Sequence, residues 1–534
     1  MIADTLADAV ADALRSLGVE PPTEVGIERP ARREHGDWST NAALASAKRA
    51  GRNPRELAQQ VADALTTAAL PHVEDVEIAG PGFVNFRLAP TWLHDVLTDV
   101  VAEGEKDYGR TDLGGGRRVN VEFVSANPNK PPHAGHARGA CVGDSVARLL
   151  ERTGHDVSRE YYLNDRGTQM QLYAASLAAR KRGEQPPDDG YLGAYVSEWA
   201  AEMPDDADPL EWGYARALRD HQATMERLGI SFDTWFSERS MVDSGAIATT
   251  LEDLRDRGVV FDDDGAVWLR STDHGDDKDR VLVKSDGEYT YLLPDIAYHR
   301  DKFARGFELL LNVWGADHHG YVARLKAAIA ALGHDPDELE IQVTQLVDLE
   351  RDGEPVPMSG RTGEMVTIDE LLDAVGSDAV RFTYLVQSTD TRQTIDLDAI
   401  TARTMDNPVF YVQMAHARAR SIERNARGKG FERPPLDQVD LGVLTHEREL
   451  DVLRSLSAFP ELLAVAARER APHKITTWVR ELAAAFHGFF HDCYVVGDDI
   501  PVELTNARLW LVEVSRIGLA IGLDLLGVSA PEEM

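Results

Sequence analysis

Cysteine is nearly absent from this chain of 534 residues. The only two, Cys141 and Cys493, lie far apart with no His or Cys at metal-ligand spacing. That pattern excludes a disulfide framework and a structural zinc, and it makes a reducing cytoplasm the expected location. Long apolar runs are missing as well: none approaches the roughly 20 residues that span a bilayer. The opening stretch, MIADTLADAVADALRSLG, reads as an acidic amphipathic helix. It has neither the basic start nor the unbroken apolar stretch of a signal peptide, so no membrane partner is expected. Lysine is the third scarcity, supplying ten of the 56 basic residues.

Negative charge is what the chain has in excess. Ninety acidic residues give a formal net charge of -34, enough to self-repel at low ionic strength. The acids are spread in clusters such as PDDADPLE, FDDDG and HGDDKDR rather than gathered in one tail. Spread acidity with few lysines points to salt adaptation, because at 1 M salt the screening length is only about 3 Å. An acidic surface for a basic partner is the alternative, and it would concentrate the charge. Hydrophobic residues make up 43 % of the chain, which supplies real cores and excludes disorder.

Length alone suggests about three or four domains. Residues 1–110 read as a small α/β unit with helices from Asn41 and over Arg55 to Ala69. Its strands are Val73 to Ile78 and Phe83 to Leu88, joined by the turn Gly80-Pro81-Gly82. A Gly-rich joint at Thr111 to Arg118 leads into residues 111–401. There strands at Val121 to Val124, Val157 to Leu163, Leu309 to Trp314 and Ile341 to Leu349 alternate with helices, as in a doubly wound, Rossmann-like parallel sheet. Residues 180–280 are acidic and read as a loop-rich insertion. From 402 to 534 the spacing is purely helical, as in Phe410, Met414 and Ala417, and predicts a helix bundle. Its first helix carries Arg418, Arg420, Arg424, Arg427 and Lys429. Such a run is usually a solvated face; in so acidic a chain it suggests contact with a polyanion.

The densest signal is VEFVSANPNKPPHAGHARG, residues 121–139. A buried strand enters a Pro-stiffened turn and opens a helix, the junction at which a parallel sheet holds a nucleotide. The turn holds Asn127, Lys130, His133 and His136. Positions three apart share a helix face, so both imidazoles can meet one ligand, and Gly135 between them leaves room for a flat base. Read alone, an HxxH at a helix start can also be a pair of solvated caps.

Asn127-Pro128 followed by HAGH resembles the HIGH motif of class I aminoacyl-tRNA synthetases. The longer string, with Tyr161-Tyr162-Leu163-Asn164-Asp165 and YVQMAHARARSI at 411–422, is similar to arginyl-tRNA synthetases. GPGFVNFRL at 80–88, EHGDWSTNAAL at 34–44 and the C-terminal RLWLVEVSRIGLAIGLDLLGVSAPEEM extend the resemblance over the whole chain. It implies a ligase that joins L-arginine to tRNA(Arg) at the expense of ATP with Mg2+. Arginine and ATP give arginyl-adenylate, which passes to the 2′-hydroxyl of the terminal adenosine, and tRNA is needed for activation. A monomer is expected.

The resemblance also implies roles. Tyr291 and Asp295, at i and i+4, hold the guanidinium; a planar, always charged group needs a buried carboxylate in fork geometry. Without the resemblance, the same pair reads as a helix-terminal acid beside a core tyrosine. Glu122 and Asn127 stand near the amino acid's α-groups, although Glu122 can equally be a strand residue paired elsewhere. His133 and His136 stabilise the ATP phosphates as donors. Gly315 and Asp317, in the Trp314–His318 stretch at a strand end, are assigned to the nucleotide, with Asp317 on its ribose or on the amino-acid side. His318 and His319 can simply cap the next helix. The second class I motif, KMSKS, is weakened here to PVPMSGRTG at 355–363. Met358 and Ser359 remain, Pro357 stands at the first lysine position, and Arg361 and Thr362 stand where a further cation is expected. In that family a lysine before the HIGH motif makes good the loss, and Lys130 stands there. Phe83 and Asn85 are assigned to the tRNA elbow, and Arg418 and Arg420 to the anticodon side. A cysteinyl synthetase, the rival of the same class, needs a zinc site that two distant cysteines cannot build. A synthetase-like tRNA-binding protein without catalysis is the other rival, supported by the altered KMSKS stretch.

Overall fold

The structure is a computed structural model that describes residues 2–30, 32–351, 353–356 and 366–534. It resolves into two compact units. One comprises Met1–Lys106, Ile422–Ser457 and Ala485–Ser515; the other comprises Asp107–Ser421, Ala458–Ala484 and Arg516–Met534.

The first unit begins with helix α1 (Ile2–Ser16), strand β1 (Trp38–Thr40), and helices α2 (Ala42–Ala47) and α3 (Pro54–Ala68). Strands β2 (Val73–Ala79) and β3 (Phe83–Leu88) and helix α4 (Thr91–Asp107) follow. Helix α3 starts where Asn53 accepts the amides of Arg55 and Glu56 ahead of Pro54, a strong N-cap with proline at the first helical position. The antiparallel sheet runs β1-β3-β2. On β3, Val84, Phe86 and Leu88 are buried, as an alternating strand over one core requires.

The second unit is built on a five-stranded parallel sheet, ordered β11-β10-β4-β5-β6. Its strands are β4 (Arg118–Glu122), β5 (Asp156–Leu163), β6 (Thr234–Ser237), β10 (Leu309–Gly315) and β11 (Leu339–Thr344). The chain winds from β4 to β6 on one side, then returns to β10 and β11 on the other. The order therefore reverses between β4 and β10, and a ligand crevice is expected outside the carboxyl ends of those strands. Helix α5 (Ala134–Arg152) follows β4 and packs close, because Gly143 faces Phe123: a Cβ there would lie 2.2 Å from the ring.

Three expectations need correction. The strand expected to include Phe123 and Val124 ends at Glu122, since Val124 and Ser125 take positive φ (70° and 41°) and turn the chain out of the sheet. Ile341 to Leu349, expected as one strand, is split. β11 stays in the parallel sheet, whereas β12 (Val347–Arg351) joins β13 (Glu354–Val356) and β14 (Gln393–Asp396) in a second sheet. The break falls at Gln345, whose amide bonds the Thr389 carbonyl instead of continuing the ladder.

Residues 180–280, expected to be loop-rich, are mostly regular. After α6 (Thr168–Lys181) come α7 (Ala194–Glu202), α8 (Pro209–Arg227), α9 (Glu238–Asp243) and α10 (Ala246–Asp256). A small antiparallel sheet follows, of β7 (Val260–Asp263), β8 (Ala266–Leu269) and β9 (Arg280–Val283), and β6 itself is an edge strand of the main sheet. The acidic residues there decorate helices with buried faces, such as Ala217, His221 and Met225 on α8.

The rest of the second unit's sheet region contains α11 (Leu292–Ala304), α12 (Val322–Ala331), α13 (Ile368–Val375), α14 (Ser377–Tyr384) and α15 (Leu397–Thr401). Beyond it the chain is helical, as expected: α16 (Pro408–Gly428), α17 (Glu447–Ser457), α18 (Phe459–Arg468), α19 (Pro472–Asp492) and α20 (Val502–Leu525).

Candidate active site

Four segments end at the carboxyl edge of the parallel sheet: Glu122 on β4, Asp165 just beyond β5, Glu238 just beyond β6, and Gly315 on β10. The sheet therefore delivers carboxylates to the crevice that its topology creates. Helix α5 delivers the histidines.

His133 caps α5 and His136 lies in its first turn. Their rings stack, with centroids 3.6 Å apart, and the His133 amide donates to Nδ1 of His136 at 3.2 Å. That bond fixes His136 as the tautomer with its proton on Nε2. Burial, reinforced by His133 and Lys130, pushes His136 well below its usual value, and burial beside Lys130 pushes His133 down to about 4. Both rings are neutral at pH 7. Nδ1 of His133 is buried and bonds to no described atom. The helix end offers fewer free amides than expected. The Ala134 amide donates to the Val366 carbonyl and the His136 amide to the His133 carbonyl. The Ile368 amide also bonds the Pro132 carbonyl at 2.9 Å, so the stretch just after 357–365 is laced to the histidine turn. Met358, Ser359 and Arg361 themselves lie outside the described residues.

Lys130 is half-buried beside these rings, and burial lowers its ammonium below the usual value. It makes no ion pair with any described residue. A cation placed against two neutral donors, with no carboxylate of its own, forms a receptor for anions. Asn127 is held by Gln169, its Nδ2 donating to Oε1 at 3.0 Å.

The second half of the site is a carboxylate recess. Asp295 on α11 is closely packed yet only partly buried. It accepts the Tyr321 hydroxyl at 2.6 Å. Burial raises its pKa to about 7 against that hydrogen bond, and Glu122 and Glu238 add to the rise. Glu238 is also raised, chiefly by burial, and is bonded by Tyr162 and by Arg166 at 3.3 Å. Glu122 differs: fully buried Lys302 donates to its Oε2 at 2.6 Å and Ser125 to its Oε1 at 2.9 Å. Lys302 also bonds Asn312, which bonds His299, whose Nδ1–H donates to the Asp295 carbonyl at 2.8 Å. Glu160 is satisfied separately by Arg305, Tyr298 and Asn120. After this pairing, Asp295 has only hydroxyl support. A carboxylate in that state calls for a cationic ligand.

Other assignments fare differently. Tyr291 stands at the N-terminal end of α11 with helical dihedrals (φ -61°, ψ -25°), one turn before Asp295, whose amide donates to its carbonyl at 3.4 Å; 86 % of its surface is exposed. Tyr321 and Tyr162 supply hydroxyls to Asp295 and Glu238. Asn85 is 7 % exposed and accepts the Ser39 hydroxyl, tying β1 to β3; Phe83 on the same strand is exposed. Asp317 stands exposed at the end of β10 beside His318, and Gly315 is also exposed. Gly135 is open to solvent. Arg420 pairs with Glu532 at 3.0 Å, and Arg418 also has partners, so neither is a bare cation. Glu238, Tyr321 and Lys302 escaped the sequence reading. For Glu238 the usable signal was a carboxylate directly after a strand.

The comparisons agree along the chain. Residues 4–88 match the "Arginyl tRNA synthetase N terminal domain", 97–189 and 213–421 the "tRNA synthetases class I (R), catalytic domain", and 412–534 the "DALR anticodon binding domain". An arginine–tRNA ligase of Frankia alni is 47 % identical, covering 100 % of this chain and 99 % of its own length. One from Bacillus pumilus is 42 % identical with the same coverage. The Thermus thermophilus arginyl-tRNA synthetase structure superposes with a TM-score of 0.76 at 25 % identity, covering 100 % of both chains. With a crevice at the switch point of a parallel sheet and full-length relatives at this identity, the chain belongs to the arginyl-tRNA synthetases, the arginine–tRNA ligases of class I.

Proposed function

We propose that the carboxylate recess takes the guanidinium of arginine, and that the histidine turn with Lys130 takes the phosphates of MgATP. The observation that carries this reading is Asp295, a carboxylate whose pKa is raised to about 7 beside Glu238 and Glu122. A guanidinium relieves that strain with a planar fork of donors. Glu122, tied to Lys302, and Asn127 flank the α-amino and α-carboxylate groups. The arginine carboxylate attacks the α-phosphorus in line, giving arginyl-adenylate and pyrophosphate. The 2′-hydroxyl of the terminal adenosine then takes the arginyl group.

Neutral His133 and His136 act as fixed donors to the charge that moves onto the phosphates, and Lys130 supplies the cation missing from the 355–363 stretch. Ser359, Arg361 and Met358 are assigned to the phosphate side, while Gly135, Gly315 and Asp317 receive the nucleotide. Mg2+ arrives with ATP.

Residues 1–110, through Phe83, contact the tRNA elbow; 111–401 carry the chemistry; 402–534 read the anticodon, with Arg418 and Arg420 on that side. We place the enzyme in the cytoplasm as a monomer, adapted to high salt.

ATP–pyrophosphate exchange, measured across the amino acids with and without tRNA(Arg), tests this reading. Exchange with arginine alone among the amino acids, and dependent on tRNA, is expected. No exchange at any KCl concentration would leave a tRNA-binding protein without catalysis.

A further inference from the structure

The loop from Ala126 to Lys130 carries two of the proposed site residues and belongs to no helix or strand. It starts from the left-handed pair Val124 and Ser125, and it runs into Pro131 and Pro132, which have no amide to donate. Its direction must therefore be set by groups outside it.

They come from the helical segment α6–α8 and from β5. The Ala126 amide donates to the Tyr161 hydroxyl at 3.2 Å, and that hydroxyl donates to Nδ1 of His221 at 2.9 Å. The opposite ring nitrogen, Nε2–H, donates to the Lys130 carbonyl at 2.8 Å. His221 is completely buried, and burial holds it neutral, with its pKa down to about 4, so both bonds persist at pH 7. Between these anchors, Tyr195 donates its hydroxyl to the Asn129 carbonyl at 3.0 Å, and Asn129 donates Nδ2 to the Tyr191 hydroxyl at 2.9 Å. Tyr191 and Tyr195 lie in the part of the chain, 190–212, that the matched catalytic-domain segments omit.

We propose that His221 is a positioning residue for adenylate formation: by gripping the Lys130 carbonyl it sets where the Lys130 ammonium points, and α6–α8 serve as the mount of the catalytic loop. A buried neutral imidazole needs a partner for each ring nitrogen, and here one partner is the loop's own carbonyl and the other is the hydroxyl that holds the loop's first amide. Through Tyr161 on one side and directly on the other, His221 joins the first and last residues of a five-residue loop. The proposal rests on the reading that Lys130 meets the ATP phosphates.

A double-mutant cycle tests it on the full chain, with arginine-dependent pyrophosphate exchange in the presence of tRNA as the readout. His221→Leu is expected to lower kcat by about ten- to a hundredfold, the size of effect that misplacement by about 1 Å produces. The KM for arginine should stay within about twofold, because the recess is not touched. His221→Gln, which keeps a donor at the Nε2 position, should recover most of the rate. In a Lys130→Ala background, His221→Leu should add little, since the group it aims is gone. Multiplying losses in the double variant, or an arginine KM that moves as far as kcat, would overturn the positioning role while leaving Lys130 in place. A Lys130→Ala variant with unchanged kcat would instead overturn the reading of Lys130, and the inference with it. If His221→Leu does not fold, Tyr195→Phe, which removes one bond to the same loop, runs the same cycle with the same outcomes.

Discussion

Asp295 turns a structural oddity into a pH dependence. Its raised pKa, about 7, means that the ligand-free protein holds much of it protonated near neutrality. Under the proposed assignment a guanidinium binds the ionised form, so arginine must expel that proton when it binds below pH 7. The KM for arginine should rise by up to about tenfold per unit as pH falls below 7 and level off above 8. Calorimetry in buffers of different ionisation enthalpy should find about one proton released per arginine at pH 6 and almost none at pH 8.5; equal values would sink the assignment. A raised carboxylate pKa favours the fold below the unfolded value and weakens it as pH climbs through the folded one. Asp295→Asn should therefore raise the Tm of the ligand-free protein at pH 8.5 but not at pH 4, while lowering arginine affinity by more than about thirtyfold. At this scale the histidine turn was legible in the sequence, because His133, His136, Asn127 and Lys130 are local to one another. The recess was legible only in part. Glu238, Asp295 and Tyr321 come from separate stretches of chain and meet only after the sheet forms. Tyr291, helical in its dihedrals at the start of α11, lies one turn before Asp295 as the spacing suggests; its exposure was not legible in the spacing.

Helix α5 shows how elements hold the site still. Asp144 on it is buried among Arg381, Arg148 and Arg159, which outweigh its burial and draw its pKa down to about 2. Arg381, completely buried on α14, also donates to the carbonyls of Leu526 and Leu228, joining α5, α8 and the end of α20. Arg381→Met removes the most buried of the three cations around Asp144 and leaves the Leu526 and Leu228 carbonyls without that donor, and should lower unfolding free energy by about 3–5 kcal/mol, read by denaturant titration at pH 7. A loss below about 1 kcal/mol would show the cluster to be dispensable. Because the Asp144 pKa is depressed, its share of stability is present above pH 4 and fades as pH falls through 2. Gly527→Ala should destabilise the same junction: the new Cβ would lie 2.0 Å from the Arg381 guanidinium, at a φ of +63°. Neither arginine nor glycine announced this role in the sequence. The alternation of strands and helices did announce the sheet, whereas the acidic clusters between 180 and 280 disguised regular elements as loop. Charge density reports the solvent face of a helix and says nothing of the face beneath.

For the whole molecule, a net charge of -34 must be reconciled with binding a polyanion. High salt screens the self-repulsion and also weakens phosphate contacts. Exchange activity and folding are expected to persist in 2 M KCl; unfolding there would refute salt adaptation. The logarithm of tRNA affinity should fall with that of KCl concentration by a slope no steeper than about 3, because arginines such as Arg420 already have carboxylate partners. A slope near 8 would instead mean that recognition rests on ion pairs. One consequence concerns synthesis rather than catalysis. Segment Arg516–Met534 packs in the unit that holds the parallel sheet, where Ser529 bonds Asp378 and the Pro531 carbonyl accepts from His416. A ribosome delivers the sheet first and this segment well afterwards. The nascent chain must therefore wait with Arg381 half-partnered, so a stalled or truncated translation product should carry an assembled sheet whose junction of α5, α8 and α14 is unsettled, and degradation machinery would meet it in that state.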